Sequence, residues 1–267
     1  MSTKKISILP MMTAAVLCCV VFTANNAFPS SPGNLTATNG GPNKHNLSVS
    51  GVTPYKAVTE TRVCVFCHTP HRALTEGPLW NHKLSSASYT VSTPPGVSGT
   101  QLTTPSNPPD GDSKLCLSCH DGTVPLGAVQ NLGGQSLTVN MGQVGMGALT
   151  GASAIGTNLS GHHLVSVEIT SQLNSDKNAQ CQGGQITWNV KVPASIPAEY
   201  MRATGNVYGT GGSGKGVQCT SCHDPHMDFP LGSDFLRNTG VGSWSSVQYG
   251  DTLCTSCHCD CSGGPCQ

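Results

Sequence analysis

Four short segments of the 267-residue chain share one spacing of cysteine and histidine. In each segment two residues separate a pair of cysteines, and a histidine follows the second cysteine directly. Histidine makes up only 10 of the 267 residues, so four chance placements of this kind have a probability of about two in a million. The segments hold Cys64, Cys67 and His68; Cys116, Cys119 and His120; Cys219, Cys222 and His223; and Cys254, Cys257 and His258.

This spacing is the one that covalent attachment of haem c requires. Two thiols add to the two vinyl groups on one edge of the porphyrin, and the adjacent histidine then ligates the iron from one face. Zinc sites, thioredoxin-like redox pairs and plain disulfides also use Cys-x-x-Cys, but none of them needs a histidine after every pair. The sequence therefore predicts four haem c groups, each with one iron, on these eight cysteines and four histidines.

A six-coordinate haem also needs a ligand on its second face. His71 follows the first motif in CVFCHTPH, and His226 follows the third in CTSCHDPH. Three residues span at most about 10 Å, which is too short to pass around the porphyrin rim. Each of these two histidines is thus expected to ligate a different haem, with a surface histidine in a proline turn as the alternative.

The remaining histidines provide more distal ligands than four haems need. Outside the motifs lie His45, His71, His82, His162, His163 and His226. This surplus favours bis-histidine ligation over methionine ligation. Neighbouring side chains on a strand face opposite ways, so only one of the adjacent His162 and His163 is expected to bind iron. His82, beside Trp80 in PLWNHK, is a candidate ligand or a packed loop histidine.

Imidazole on both faces of each iron predicts electron transfer, since no axial position stays open for a substrate. The chain is therefore expected not to be an enzyme. A multihaem reductase, which needs an iron with an open position, is the first alternative. A structural polymer in which haem mainly holds the chain together is the second.

The composition is unusual for a protein with a conventional hydrophobic core. Aromatic residues make up 5% of the chain and charged residues 10%, against about 25% charged in an ordinary domain. The formal net charge is zero, which argues against a nucleic-acid partner. We therefore expect a mostly irregular, loop-rich multihaem cytochrome c fold with short helices, a small β element and four haems as its core.

The N-terminus has the pattern of a signal peptide covering residues 1–27, with Lys4 and Lys5, an apolar run and then small residues. A retained membrane anchor and a lipoprotein cysteine at Cys18 or Cys19 are the alternatives. No later segment is apolar enough to cross a bilayer, so we expect no integral membrane span in the mature chain. The protein is expected to be exported, to the cell exterior or outer surface or alternatively to the periplasm.

The order of motifs suggests a repeat of two haem pairs. We predict a first haem-pair module at 28–122, a Gly/Ser/Thr-rich connector at 123–215, and a second haem-pair module with a cysteine-rich tail at 216–267. In the connector, alternating residues favour strands at His163–Thr170 and Gln185–Val192. Val207–Gly216 is typical of a flexible loop.

Four cysteines remain in the predicted mature chain: Cys181, Cys259, Cys261 and Cys266. An even number in an oxidising compartment predicts two disulfides, although four cysteines allow three pairings. We expect one bridge within the tail and one to Cys181. A metal-binding or redox-active thiol cluster is the alternative.

The strings HNLS, VCVFCHTPH, PLWNH, LCLSCHDGTVPLG, GTNLSGHHLVS, CTSCHDPH and LCTSCH follow one another in this order. The order resembles that of the doubled CXXCH-motif multihaem cytochromes, in particular the tetrahaem members that include extracellular filaments of metal-reducing bacteria. The resemblance covers roughly residues 43–258 and implies a closely spaced row of bis-histidine haems, with His163 as one distal ligand. This chain departs from the pattern in His162 and in the cysteine-rich tail after His258.

The resemblance also implies partners. In filament members a histidine near the N-terminus ligates a haem of the adjoining subunit, and by position that role falls to His45, which implies self-association. Other cytochromes or extracellular electron acceptors are the further partners expected. A monomeric periplasmic tetrahaem shuttle is the alternative within electron transfer.

Overall fold

The computed structural model describes residues 43–75, 77–91, 109–133, 138–142, 147–184, 186, 188–198, 200–204, 214–226, 235–237 and 248–263. All of them fall within Pro32–Gln267, which forms one unit by its contacts. The predicted signal peptide and Cys266 lie outside the described residues. Within those residues, no helix combines the length and the apolar character that a bilayer crossing needs.

The described residues form four α-helices, and three of them contain cysteine motifs. They are α1 (Gly111–His120), α2 (Ser171–Gln182), α3 (Cys219–Cys222) and α4 (Gln248–Cys257). The first motif begins in a 3-10 helix, Val63–Phe66. Further single 3-10 turns lie at Gly151–Ser153, Pro193–Ser195 and Cys261–Gly263. Helical backbone at a motif brings its two thiols to neighbouring positions on one side of the turn.

Helix α1 ends where the chain can take a left-handed residue. Gly122 has a φ of 72°, a conformation that glycine adopts without a side-chain clash. The preceding Asp121 N–H still bonds to the carbonyl of Leu117 at 3.1 Å. Leu115 and Leu117 are buried, so the apolar residues around the second motif point into the protein.

Helix α2 was not expected from the sequence. It has 12 residues, and its buried residues are only Leu173 and Asn174, so it shows no apolar periodicity. Its start is set instead by Thr170, whose hydroxyl accepts a hydrogen bond from the Leu173 N–H at 3.0 Å. N-terminal capping of this kind stabilises a helix without any apolar stripe.

Five short strands among the described residues form two antiparallel sheets. They are β1 (Val167–Glu168), β2 (Trp188–Val190), β3 (Arg202–Thr204), β4 (Gly214–Val217) and β5 (His258–Asp260). One sheet has the order β1-β4-β3 and the other pairs β2 with β5. β1 and β2 lie inside the two stretches that alternation favoured, but each pairs with a distant strand and not with the other.

The glycine-rich end of the predicted loop forms the central strand β4. Gly216 is paired with Glu168 on one side and Arg202 on the other. A Cβ atom at this position would collide with the carbonyl oxygen of Val167. Glycine is needed here for close approach of strands, which composition alone does not distinguish from loop flexibility.

Residues of the connector contribute to four apolar clusters in the described part of the chain. The connector's first part contributes Leu126, Val129 and Met141 to a cluster with Val65 and Phe66 of the first motif. Its later part contributes Ile169, Ile196 and Tyr200 to a second cluster. Leu253 and Cys257 of the fourth motif pack against that second cluster.

Candidate haem sites

Three pairs of histidine rings lie at nearly the same separation. Each pair combines a histidine that directly follows a cysteine pair with one from outside the motifs. The ring centroids are 6.0 Å apart for His45–His120, 6.2 Å for His68–His226 and 6.1 Å for His163–His258.

A metal ion between two imidazoles sets a separation of this size. A metal–nitrogen bond of about 2.0 Å and a ring radius of about 1.1 Å place two centroids about 6.2 Å apart across the metal. Aromatic pairs in general span about 4.5–7 Å, so a single distance is not diagnostic. The informative feature is that one value recurs three times, each time with one motif histidine and one remote histidine.

In all three pairs, Nδ1 of both rings lies near an oxygen atom. Five of the acceptors are backbone carbonyls: Pro225 for His45 at 2.9 Å, Pro78 for His68 at 2.8 Å, Ser153 for His120 at 2.7 Å, Leu164 for His163 at 2.8 Å and Asn189 for His258 at 3.2 Å. The sixth is the Asp224 carboxylate, 3.5 Å from Nδ1 of His226. A proton held on Nδ1 leaves the Nε2 lone pair for a metal, as in most metal-bound histidines.

His45 is packed against the third motif. Its ring stacks on Phe235 with centroids 4.2 Å apart and an interplanar angle of 13°, and the nearby Asn43 side chain donates to the carbonyl of His226 at 3.3 Å. Burial lowers the pKa of His45 to about 4, against the raising effect of its bond to Pro225. His45 is therefore neutral near pH 7, the form that ligates metals, and its ring lies against His120 of its own chain.

None of the eight motif cysteines is in a disulfide, and thiols of different motifs lie close together. Burial, and then the neighbouring Cys67, raise the pKa of the Cys119 thiol. A thiol–thiol hydrogen bond joins Cys116 to Cys219; it raises the pKa of Cys116 and lowers that of Cys219 to about 7. The second motif therefore has one thiol near the first motif and the other beside the third.

The third and fourth motifs meet in the same way. Burial, and then Cys254, raise the pKa of the Cys222 thiol. Burial also raises the pKa of Cys257 to about 11, and Cys222 adds to that effect. The four motifs thus follow one another in space in the order in which they occur in the sequence.

A buried polar network fixes the second motif against the third. Gln218, which precedes α3, donates from Nε2 to the Asp110 carboxylate at 2.9 Å. Its Oε1 accepts from the Ser113 backbone N–H at 3.2 Å and from the Ser113 hydroxyl. The Ser113 Oγ in turn accepts from the Cys219 N–H at 3.0 Å. These bonds place α1 and the start of α3 in a defined register.

The other candidate histidines occupy different surroundings. His82 is 1% exposed, and its Nδ1 and Nε2 lie 2.9 and 3.2 Å from the carbonyls of Lys83 and Pro125. Both of its nitrogens thus face protein oxygens, which corresponds to a packed core histidine. His162 is exposed, and of the adjacent pair it is His163 that lies opposite His258.

His71 and His223 lie in the two eight-residue segments that the His68–His226 pair brings together. Both side chains are exposed. The carbonyl of His71 accepts from the Asn131 side chain at 2.6 Å, which anchors the backbone of this segment. The two segments that carry these histidines are thus linked through the His68–His226 pair.

The tail is tied to α2. A disulfide joins Cys181 to Cys261, and Cys259 is also disulfide-bonded. Cys261 directly follows β5, the strand that carries His258. The bridge therefore holds the segment that positions the fourth motif histidine.

Sequence reasoning did not find the groups that orient the histidines. Phe235 and the five carbonyl acceptors had no sequence signal, because a backbone oxygen carries no side-chain identity. Among these six acceptors only Asp224, two residues before His226, is a side chain and can therefore be recognised in the sequence.

Across the described part of the chain, no group of three or more His, Cys, Asp or Glu side chains is placed to hold a metal ion. A haem brings its own in-plane nitrogens and takes only two axial ligands from protein. No protein-family model matches this chain, and none of the curated proteins compared with it matches either.

Proposed function

We propose that this chain is an exported tetrahaem c-type cytochrome that transfers electrons. The observation that carries the proposal is the set of three histidine pairs at 6.0–6.2 Å, each including a histidine that directly follows two cysteines. When bound, haem iron would supply the redox chemistry by changing between two oxidation states.

The cysteines and histidines of the proposed sites fit haem c. Each proposed site has two unbridged thiols for the vinyl groups, and in three of the four the two imidazoles have an oxygen atom near Nδ1. The proposed axial pairs are His68 with His226 for the first motif, His45 with His120 for the second, His71 with His223 for the third, and His163 with His258 for the fourth.

The pair of His71 and His223 follows from reciprocity between two segments. CVFCHTPH and CTSCHDPH have identical cysteine and histidine spacing, and the last histidine of the second segment lies 6.2 Å from the motif histidine of the first. An exchange in the opposite direction brings His71 to His223. The backbone of each segment is too short for its last histidine to reach its own haem.

The thiol contacts support an order for the electron path. Cys67 lies near Cys119, Cys116 bonds to Cys219, and Cys222 lies near Cys254. Neighbouring sites in this order would be close enough to pass electrons along a row, with the first and fourth sites as its ends. Other cytochromes or an extracellular acceptor are the proposed partners there.

The chain's own histidines would supply both ligands to the iron in every proposed site. No position remains for a substrate, so we propose a carrier or conduit and not a reductase. The location of His45 against His120 of the same chain favours a monomeric carrier. Assembly into filaments through His45 would require the segment around Asn43–Asn46 to exchange between copies.

Expression in a host that matures c-type cytochromes tests the proposal. The purified chain should carry four haems by mass, and its reduced spectrum should be that of low-spin c-type haem. The double variant Cys64→Ser/Cys67→Ser should carry three haems and serves as the matched comparison. A colourless product, or one with the mass of the processed polypeptide alone, refutes the function.

The angles between ring planes allow a second test. The His68 and His226 rings are 23° from parallel, whereas the other two pairs are at 67° and 71°. Near-parallel imidazoles make the two iron π-type d orbitals inequivalent, and near-perpendicular ones make them similar. Electron paramagnetic resonance of the oxidised protein should therefore show at least one rhombic low-spin signal together with strongly axial ones. A spectrum with a single uniform signal contradicts the pairing.

A further inference from the structure

Trp80 has a buried donor without a partner. Its indole Nε1 is shielded from solvent and makes no hydrogen bond to any described residue. Buried polar atoms in native proteins are nearly always hydrogen-bonded, because an unpaired one loses its contact with water and gains nothing in return. The Trp80 N–H therefore indicates an acceptor that the described part of the chain does not provide.

The position of this donor is set by the first attachment motif. Trp80 forms a β-bridge with His68, and the adjacent Asn81 N–H bonds to the carbonyl of Cys67 at 2.9 Å. The Trp80 and His68 rings are perpendicular, with centroids 5.9 Å apart. Pro78, in the same segment, accepts from Nδ1 of His68 at 2.8 Å. One segment therefore orients the proposed iron ligand and presents the free N–H beside it.

The backbone around Trp80 is held on both sides. The Trp80 carbonyl accepts from the Leu74 N–H at 2.8 Å. The Asn81 side chain donates to the carbonyls of Val65 and Asn131. These bonds fix the backbone from which the indole projects.

We propose that Trp80 donates its indole N–H to a propionate carboxylate of the haem at the first site. This inference rests on the proposed function and assigns Trp80 as a positioning residue for one haem of the four. Carboxylate is the strongest type of acceptor available, and haem carries two of them into the protein. The hydrogen bond would draw negative charge away from the iron and raise the potential of this haem relative to a site without it.

The test is Trp80→Phe, which keeps an aromatic ring and removes the N–H. Trp188→Phe is the matched control, because Trp188 is 51% exposed. Haem content, a spectroelectrochemical titration and the propionate bending band in resonance Raman spectra are measured for both variants. We expect four haems in each, with one of four redox transitions moved to lower potential and a shifted propionate band only in Trp80→Phe.

Unchanged transitions and an unchanged propionate band in Trp80→Phe overturn the inference. A shift of all four transitions also overturns it, because that is the result of general loosening. If the variant does not fold, ultraviolet resonance Raman spectra of the wild-type holoprotein decide, because the indole N–H bending band reports hydrogen bonding. A component at the frequency of a non-bonded indole rejects the bond, and the absence of such a component supports it. A wild-type chain without haem refutes the proposed function before any variant is made.

Discussion

Replacing Gln218 with methionine tests whether the buried polar network holds the second and third attachment motifs together. Methionine keeps the length of the side chain and removes every polar atom beyond the backbone. The hydrogen bonds that disappear include two from Ser113, one from the Ser166 hydroxyl, the capping bond from the Ser221 N–H, and one to the Asp110 carboxylate. Gln218 is 1% exposed, so water cannot replace the lost partners.

The magnitude follows from the types of bond. Neutral buried hydrogen bonds contribute about 0.5–1.5 kcal/mol each and a bond to a charged group about 1.5–3 kcal/mol, so the two Ser113 bonds and the Asp110 bond alone account for about 2.5–6 kcal/mol. For a chain of this size 1 kcal/mol shifts Tm by about 2–4 °C, so these three bonds alone predict a decrease of roughly 5–24 °C. Thermal unfolding of the holoprotein, followed by circular dichroism, measures this.

Gln172→Met is the matched control. Gln172 is exposed on α2 and bonds only to Asp176 at 2.9 Å among the contacts described, so its loss should change stability by less than about 0.5 kcal/mol. If Gln218→Met lowers Tm no more than this control does, the network does not hold α1 to α3 and the reasoning is wrong.

Three further predictions address the ligands, the disulfide and an ion pair. His226→Ala should leave one of the four proposed haems high-spin, whereas His162→Ala should leave all four low-spin. Visible and electron paramagnetic resonance spectra that show no high-spin fraction in His226→Ala contradict the pairing. Cys181→Ser opens a bridge between residues 80 positions apart, and chain entropy predicts a loss of about 4 kcal/mol; a denaturant midpoint within error of wild type argues against it. The hydrogen bond from Arg62 holds the pKa of Glu60 at about 2, below its usual 4.5. This pair therefore stabilises the fold above about pH 4.5 by less than about 1 kcal/mol, and the stabilisation is lost as the pH falls through about 2. Glu60→Gln should remove that part of the acid dependence, and an identical acid profile in wild type and variant counts against the pair.

Some features were accessible from sequence because their chemistry is local. The eight motif cysteines and four motif histidines lie within five-residue segments, so spacing alone indicates which atoms can act on one porphyrin. The same is true of the negative inference for His71 and His226, which depends only on how far three residues reach. Strand positions in β1 and β2 were also indicated locally, by alternation.

Other features depend on residues that the chain brings together from far apart. Helix α2 lacks an apolar stripe and depends on its Thr170 cap, and Gly216 belongs to a strand because of its neighbours on both sides. His82 has the same side chain as the proposed ligands, but each of its two ring nitrogens lies near a backbone carbonyl oxygen. None of these three features can be predicted from a short stretch of sequence.

The sequence by itself indicated which residues would attach the proposed haems and which histidines are too close to their own motif to ligate its haem. Only the tertiary structure decided that His45 lies against His120, that His226 lies against His68, and that His163 rather than His162 lies against His258. The physical reason is that attachment chemistry is set by bond lengths over a few residues. The choice of a remote partner histidine is set by packing and by the oxygen atom, carbonyl or carboxylate, that lies near Nδ1 of each ring.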